Sequence, residues 1–515
     1  MSDSKQLKIG SLLSYLQIAV SIIIGLSYTP FMLKVLGQSE YGLYNTVSST
    51  VSLLSLLSLG FNASYIRYYV KYQKENKIES VYKLNGLFMI IFSIIGVVAL
   101  VCGLFLSFNL TYVFDEGLTA QEYETAKILM IMLSCNLAWT FPASVFTSII
   151  SAHERFIFLK LLGIGKTILS PLIHIPVLLL GYGSIGMVMT TVLVTLVIDF
   201  IYLFFVLKKL KQKFIFKDFE KGIFKSLFVY TSFIAINMIV DQVNSNLGKF
   251  LLGRYQGTTA VAVYSVGYLL YSYFAMFSTS ISGVFTPSVH RIINETKADE
   301  ELQKQQLTDI FTKVGRVQFL IIGLVATGVV FFGKVFIKFW AGVGYEDSYY
   351  VSLLLILPAM IPLIQNIGIE IQRAQNKHQF RSVAYFCMAI VNLVSSIFLC
   401  QIYGAIGAAI GTAVSLLLAN GVTMNIYYHK RCNINVLFFW KNIIRIFIGF
   451  IIPICVGVIV MTCVEMTSIW KMFLWILIYV VVYVISIWFF SMNKNEKNVV
   501  KKLLGKIRRN DKNNR

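Results

Sequence analysis

Asn237, Asp241, Asn244 and Gly248 follow one another at intervals of four, three and four residues inside an apolar run from 226 to 252. That spacing sets them on one face of a helix. A carboxylate flanked by carboxamides cannot face hydrocarbon, so the stripe must meet another helix or line a water-filled cavity. Interhelical hydrogen bonding is the plain reading and cavity lining the functional one. Lys249 follows near the end of the same run and Arg254 just beyond it, toward the outer side. Arg67 ends an earlier apolar run after Gly60-Phe61-Asn62-Ala63, and its guanidinium can hold phosphate oxygens bidentately, which a lysine cannot. Lys166 lies about 10 Å into its own run by helical rise, close enough to extend back to the near membrane face. These six, Arg67, Lys166, Asn237, Asp241, Asn244 and Lys249, are the candidate substrate-binding residues.

Other charged or titratable groups in apolar surroundings carry weaker signals. Asp199 sits in the run after that of Lys166, and Glu370 and Arg373 are spaced for a salt bridge within one helix. His174 lies between Pro171 and Pro176, which can bend a helix beside a cavity. A lone histidine there is more often a packing residue. The sequence has no phosphate-binding P-loop, dinucleotide fingerprint, H-E-x-x-H or nucleophile elbow. Of the seven cysteines none is spaced C-x-x-C. No catalytic residue, metal or cofactor is expected. Transport would draw on an ion or substrate gradient, the membrane potential or a partner, which describes a secondary transporter.

The elements that position these residues follow from composition. In 515 residues, 57% are hydrophobic and only 13% charged, far from the roughly 25% charged content of soluble domains. The chain reads as an all-α polytopic membrane protein with about fourteen transmembrane helices between residues 12 and 491. The polar N-terminus lacks a cleavage site, so no removable signal peptide is expected. A net charge of +21 reads as topology and contact with anionic lipid rather than nucleic-acid binding. With the N-terminus inside, 37 of the 45 lysines and arginines fall on inside segments or inner span ends and five on outside segments. Both termini are therefore expected in the cytoplasm. Outside loops are too short for an extracytoplasmic catalytic domain.

Comparing the chain with itself shows a duplication. Tyr182-Gly183-Ser184-Ile185-Gly186 recurs as Tyr403-Gly404-Ala405-Ile406-Gly407, Pro142 as Pro362, and Leu36-Gly37 with Tyr44 as Leu252-Gly253 with Tyr264. Six spans separate the copies, so the halves share an orientation, as in parallel-repeat transporters. The expected organisation is an N-terminal six-helix lobe (1–207), a basic cytoplasmic linker (208–225), a C-terminal six-helix lobe (226–428), two further helices (429–491) and a basic cytoplasmic tail (492–515). In the linker, Phe214, Phe216 and Phe219 alternate with lysines; in the tail, Val499, Leu503 and Ile507 recur at helical spacing. Both patterns suit an anionic membrane surface.

Leu36-Gly37-Gln38-Ser39-Glu40-Tyr41-Gly42-Leu43-Tyr44, Leu59-Gly60-Phe61-Asn62-Ala63 with Arg67, Leu251-Leu252-Gly253, Ala260-Val261-Ala262-Val263-Tyr264-Ser265 and the Tyr-Gly-x-Ile-Gly pair together resemble the polysaccharide transporters, or Wzx-type flippases, of the multidrug/oligosaccharidyl-lipid/polysaccharide superfamily. The resemblance implies two six-helix lobes around an alternately opening cavity. It also implies that undecaprenyl-pyrophosphate-linked oligosaccharide is flipped across the bacterial cytoplasmic membrane for capsule, O-antigen or exopolysaccharide, beside polymerase and chain-length components. Alternatives are a lipid II flippase or multidrug antiporter of that superfamily, or a membrane glycan polymerase or glycosyltransferase. The short outside loops disfavour the last.

Overall fold

The computed structural model describes residues 3–114, 117–219, 222–296, 298–377, 379–498 and 501. Among them every regular element is helical. The first half comprises α1 (Asp3–Leu53), α2 (Phe61–Lys74), α3 (Ile78–Phe108), α4 (Leu110–Phe114), α5 (Ala120–Ala152), α6 (Phe156–Leu179) and α7 (Gly183–Phe204). There follow α8 (Ile223–Gln242), α9 (Gly248–Tyr255), α10 (Thr258–Ser282), α11 (Thr286–Glu295), α12 (Glu300–Trp340), α13 (Ser348–Ile364) and α14 (Ile367–Ala374). The chain continues through α15 (Gln379–Leu416), α16 (Met424–Arg431), α17 (Val436–Ile444), α18 (Ile451–Cys463) and α19 (Ile469–Phe490). Ten helices among the described residues are long and apolar enough to cross a membrane, or eleven if the 42° bent pair α13–α14 is one passage.

Two of these ten fold back on themselves as hairpins. Gly37 breaks α1 with φ 75°. On either side of it, Gly10 lies against Phe156 and the Tyr69 hydroxyl meets His153 at 2.9 Å, so residues 10 and 69 return to the same end of the bundle. In α15 the break is Gly404, φ 56°. Ser415 donates to the Met388 carbonyl at 2.8 Å, Thr412 to Asn392 Oδ1 at 3.4 Å, and Gly407 abuts the Leu399 carbonyl, an antiparallel ladder closing on residue 404. Positive φ is open to glycine without the steric cost a Cβ would bring.

The chain divides into two compact units, Met1–Tyr268 with Ala341–Val351 and Ser382–Ser415, and Leu269–Trp340 with Ser352–Arg381 and Leu416–Arg515. In the first, small residues let backbones approach as is usual for membrane helices. A Cβ on Gly96 would sit 2.5 Å from the Ala138 carbonyl, which draws α3 against α5. Phe61, Tyr65, Phe88 and Phe92 pack edge to face between α2 and α3. Asn85 accepts from the Tyr65 hydroxyl at 2.6 Å and donates to the Lys213 carbonyl at 3.0 Å. The Ile215 amide donates to the Tyr82 carbonyl at 3.0 Å, and the Phe214 ring stands on Phe146. The aromatic residues of the basic linker thus divide: Phe214 and Phe219 join the core while Phe216 is exposed. An irregular segment cannot leave its peptide groups in hydrocarbon, and here it satisfies some of them on α3. The proposed tail helix lies outside the described residues, apart from its first turn.

In the second unit, Arg316 on α12 is buried. Its guanidinium donates to Glu496 at 2.7 and 3.0 Å, to the Asn442 carbonyl at 2.9 Å and to the Ser491 carbonyl at 2.9 Å. A charge held inside protein needs such a set of partners. This one fastens α17 and the end of α19 to α12.

Candidate functional site

The helical stretches that carry Arg67 and the polar stripe are both interrupted. After the hairpin turn, α1 runs into a 3-10 turn at Leu54–Ser58, and Leu59 (φ 46°) and Gly60 (φ 77°) break the ladder before α2. A Cβ on Gly60 would lie 2.5 Å from Ile234 Cγ2, so only glycine allows this break to rest on α8. Opposite it, α8 passes through a π-helical turn at Val243–Leu247 before α9. Gln242 Nε2 donates to Ser55 Oγ at 3.0 Å across the two breaks, and Asn246 donates to Gln242 Oε1 at 2.6 Å. Breaks of this kind at membrane depth are tolerated where they are buried in protein or line a cavity.

The polar stripe divides by partner. Asn237 Nδ2 donates to Ser382 Oγ at 3.1 Å, and Asn244 Oδ1 accepts from Asn392 Nδ2 at 2.9 Å. Asn392 is a hub: its Oδ1 also accepts from Ser396 at 2.9 Å and Thr412 at 3.4 Å. These two asparagines therefore join α8 and its π turn to the α15 hairpin, as interhelical hydrogen bonding would have it. Asp241, between them on the same face, is exposed and lies within electrostatic reach of Tyr268. The Lys249 amino group rests 4.9 Å from the centre of the Tyr268 ring, a cation–π contact that fastens it to α10.

Arg67 is exposed on α2, one turn beyond Asn62, whose Oδ1 accepts from Ser144 at 3.3 Å and Ser148 at 3.2 Å. Lys166 does not join this surface. Its amino group donates to Thr195 Oγ1 at 3.0 Å, and Asp199 lies one turn along α7 within electrostatic reach. His174 meets Thr191 Oγ1 at 3.1 Å. Thr191, Thr195 and Asp199, each four residues apart, thus form a seam with His174 and Lys166 between α7 and α6. That threonine ladder was readable in the sequence. Glu370 and Arg373 form the expected pair at 2.7 Å.

At the end of this unit that holds the turns Gly37, Gly257 and Gly404, segments from the two halves of the sequence are closed upon one another. Glu122, in the capping box of α5, accepts from Ser39 Oγ at 2.5 Å and from Thr258 Oγ1 at 2.7 Å. A Cβ on Gly42 would meet the Thr258 carbonyl at 1.8 Å, and one on Gly253 would meet Thr46 Cγ2 at 2.4 Å. Gln38 donates to the Gly344 carbonyl at 2.8 Å. Spacing offered no signal for Glu122: its partners come from 83 and 136 residues away.

Comparison with known proteins is consistent with this arrangement. Residues 8–293 match the model of a family described as polysaccharide biosynthesis protein. A solved structure of the lipid II flippase MurJ, in an inward closed conformation, superposes with a TM-score of 0.68 at 17% identity, covering 93% of this chain and 97% of that one. An inward-facing multidrug resistance MATE family transporter of the MOP superfamily gives 0.61 at 12% identity, over 84% and 99%. The Vibrio cholerae MATE transporter VcmN in its bent form gives 0.54 at 15% identity, over 85% and 98%. At these identities the likeness shows the fold, which is that of the MurJ and MATE transporters. No curated protein sequence matches the chain.

Proposed function

The chain belongs to the polysaccharide biosynthesis protein family, and from that premise we propose that it is a flippase carrying undecaprenyl-pyrophosphate-linked oligosaccharide across the bacterial cytoplasmic membrane by alternating access. The carrying observation is the closed seam around Glu122 and Gly42, with exposed Asn62 and Arg67 on α2 and Asp241 on α8, the helices that adjoin the seam segments along the chain. A path shut at one end and polar further along suits a head group that enters from the other side. The proposal keeps fourteen passages in two six-helix lobes plus two helices, with both termini cytoplasmic. The hairpins at Gly37 and Gly404 and the basic asymmetry support that topology.

In this reading Arg67 receives the pyrophosphate and Asp241 handles the head group or the coupling step. Asn237, Asn244 and Lys249 hold the wall that carries Asp241. Lys166 acts through the α6–α7 seam rather than by touching substrate. The work is translocation, with no covalent step assigned to any residue, and the polymerase and chain-length components act downstream.

Deleting the gene in its host and analysing lipid-linked glycans on each membrane face tests the proposal. Repeat units accumulating on the cytoplasmic face support it; an unchanged distribution with normal surface polymer overturns it. The overlay with MurJ over 93% of this chain favours lipid II as a second reading, and accumulation of lipid II in the same experiment would select it.

A further inference from the structure

Beside the closed seam lies a cavity of about 460 Å³ among the ends of α1, α3 and α9. Its size falls within the roughly 300–1,000 Å³ of ordinary ligand sites. Leu53, Leu54, Phe105, Leu106 and Phe250 form its apolar walls, and Arg254 closes one side. Phe105 is 66% exposed, so the cavity opens outward, where an apolar ring on a membrane helix meets lipid.

Arg254 is only partly used by the protein. One terminal nitrogen donates to the Tyr112 and Val113 carbonyls at 3.3 and 3.1 Å, and the guanidinium sits 5.6 Å from the Tyr255 ring centre. Its Nε is shut away from solvent and has no hydrogen-bond partner. A buried guanidinium N–H without an acceptor is costly, more so when the group is charged. The carbonyls hold the fork in place and leave donor capacity for an anion with oxygen acceptors. Phosphate oxygens fit that fork.

We propose that this cavity binds one anionic phospholipid of the surrounding leaflet, with an acyl chain along Leu53, Leu54 and Phe105 and its phosphodiester on Arg254. Two features select that occupant. A single arginine with part of its donor set already engaged matches one phosphodiester charge better than a pyrophosphate. The apolar wall, open toward lipid, takes part of an acyl chain of a bilayer phospholipid, the most abundant source of a single phosphodiester beside it. The lipid would brace the seam from its membrane side, because Arg254 follows Gly253, which packs on Thr46. The site does not depend on which leaflet this end faces, nor on the cargo.

Native mass spectrometry of the full-length protein, purified in mild detergent and titrated with phosphatidylglycerol, phosphatidylcholine or undecaprenyl phosphate, tests it. Phosphatidylglycerol is expected to bind one per chain and about tenfold more tightly than phosphatidylcholine, the scale of one charge-assisted hydrogen bond. Arg254→Gln should erase that preference. Leu54→Trp fills the apolar wall while leaving Arg254 in place, so it should weaken phosphatidylglycerol binding even if Arg254→Gln proves unstable. Equal binding of phosphatidylcholine, stronger binding of undecaprenyl phosphate, or unchanged phosphatidylglycerol binding in the folded Leu54→Trp protein would each overturn the assignment.

Discussion

Replacing Gly42 with alanine adds one methyl group at the tightest point of the seam. The new Cβ would start 1.8 Å from the Thr258 carbonyl oxygen, where an ordinary contact begins near 3.4 Å. The two segments must therefore part by about 1.6 Å at that point, because the obstacle is backbone and has no rotamer to yield. Glu122 on α5 bridges Ser39 of α1 and Thr258, so a shift of that size between them breaks one of its two hydrogen bonds. Losing one hydrogen bond to a carboxylate costs about 1.5–3 kcal/mol, reduced because Glu122 is partly exposed. With a net penalty of about 1.4 kcal/mol, the ratio of closed to open seam falls about tenfold. The assay is thiol cross-linking of Gln38→Cys with Gly344→Cys, which meet at the same end and leave Ser39, Thr258 and Glu122 intact, with and without Gly42→Ala, alongside surface polymer output. The expected result is slower cross-linking and reduced export at normal protein level. Cross-linking at the unsubstituted rate with full export would refute the reasoning that this seam opens and closes during transport.

The remaining predictions concern single side chains. Asp241→Asn should insert normally and lose transport if the carboxylate takes part in head-group handling or coupling; full export by Asp241→Asn would remove Asp241 from the mechanism. Arg67→Ala should abolish transport and Arg67→Lys impair it, while normal output from Arg67→Ala at normal protein level leaves only a membrane-edge anchor. His153 lies just past α5, and burial pushes its imidazole pKa below the ordinary 6.5, although its Nδ1 contact with the Ile149 carbonyl at 2.8 Å opposes that shift. Below pH 6.5 the unfolded chain takes up a proton that the fold resists, so stability is full above that pH and falls as pH drops toward the folded value. Thermal unfolding from pH 7.5 to 5.5 should show that loss, and His153→Gln should flatten it; an identical slope in His153→Gln would assign the loss elsewhere.

The fold was legible because its signals are local. Apolar runs of spanning length and the repeated Tyr-Gly-x-Ile-Gly motif mark helices and turns within a few residues, and Gly404 in the second copy is the hairpin turn itself. Glu370 with Arg373 was equally legible, since one helical turn joins them. The candidate site was read less completely. Periodicity placed Asn237, Asp241 and Asn244 on one face but could not say what stood opposite, and Ser382 and Asn392 lie 145 and 148 residues further on. The linker lysines suggested a membrane surface, yet Asn85, set in an apolar helix, fixes part of that segment to the protein.

Asp241 takes its meaning from what the structure does with its neighbours. Asn237 and Asn244 each gain a partner on α15, so the stripe is not a continuous polar wall; it is two interhelical ties with a carboxylate between them. Ties above and below fix the height and rotation of that carboxylate, while the π turn immediately after it and the Leu59–Gly60 break opposite prevent either helix from being a rigid rod. An acid held in place beside two interruptions can alter its surroundings when the helices shift, because a small change at a break swings the segments on either side. The seam at Gly42 and the carboxylate of Asp241 lie along two stretches of chain, α1–α2 and α8–α10, so in the proposed cycle opening one would reshape the other. Gly42→Ala should therefore change the accessibility of a cysteine placed at Asn62 as well as cross-linking between positions 38 and 344, a coupling that a purely local packing defect would not produce.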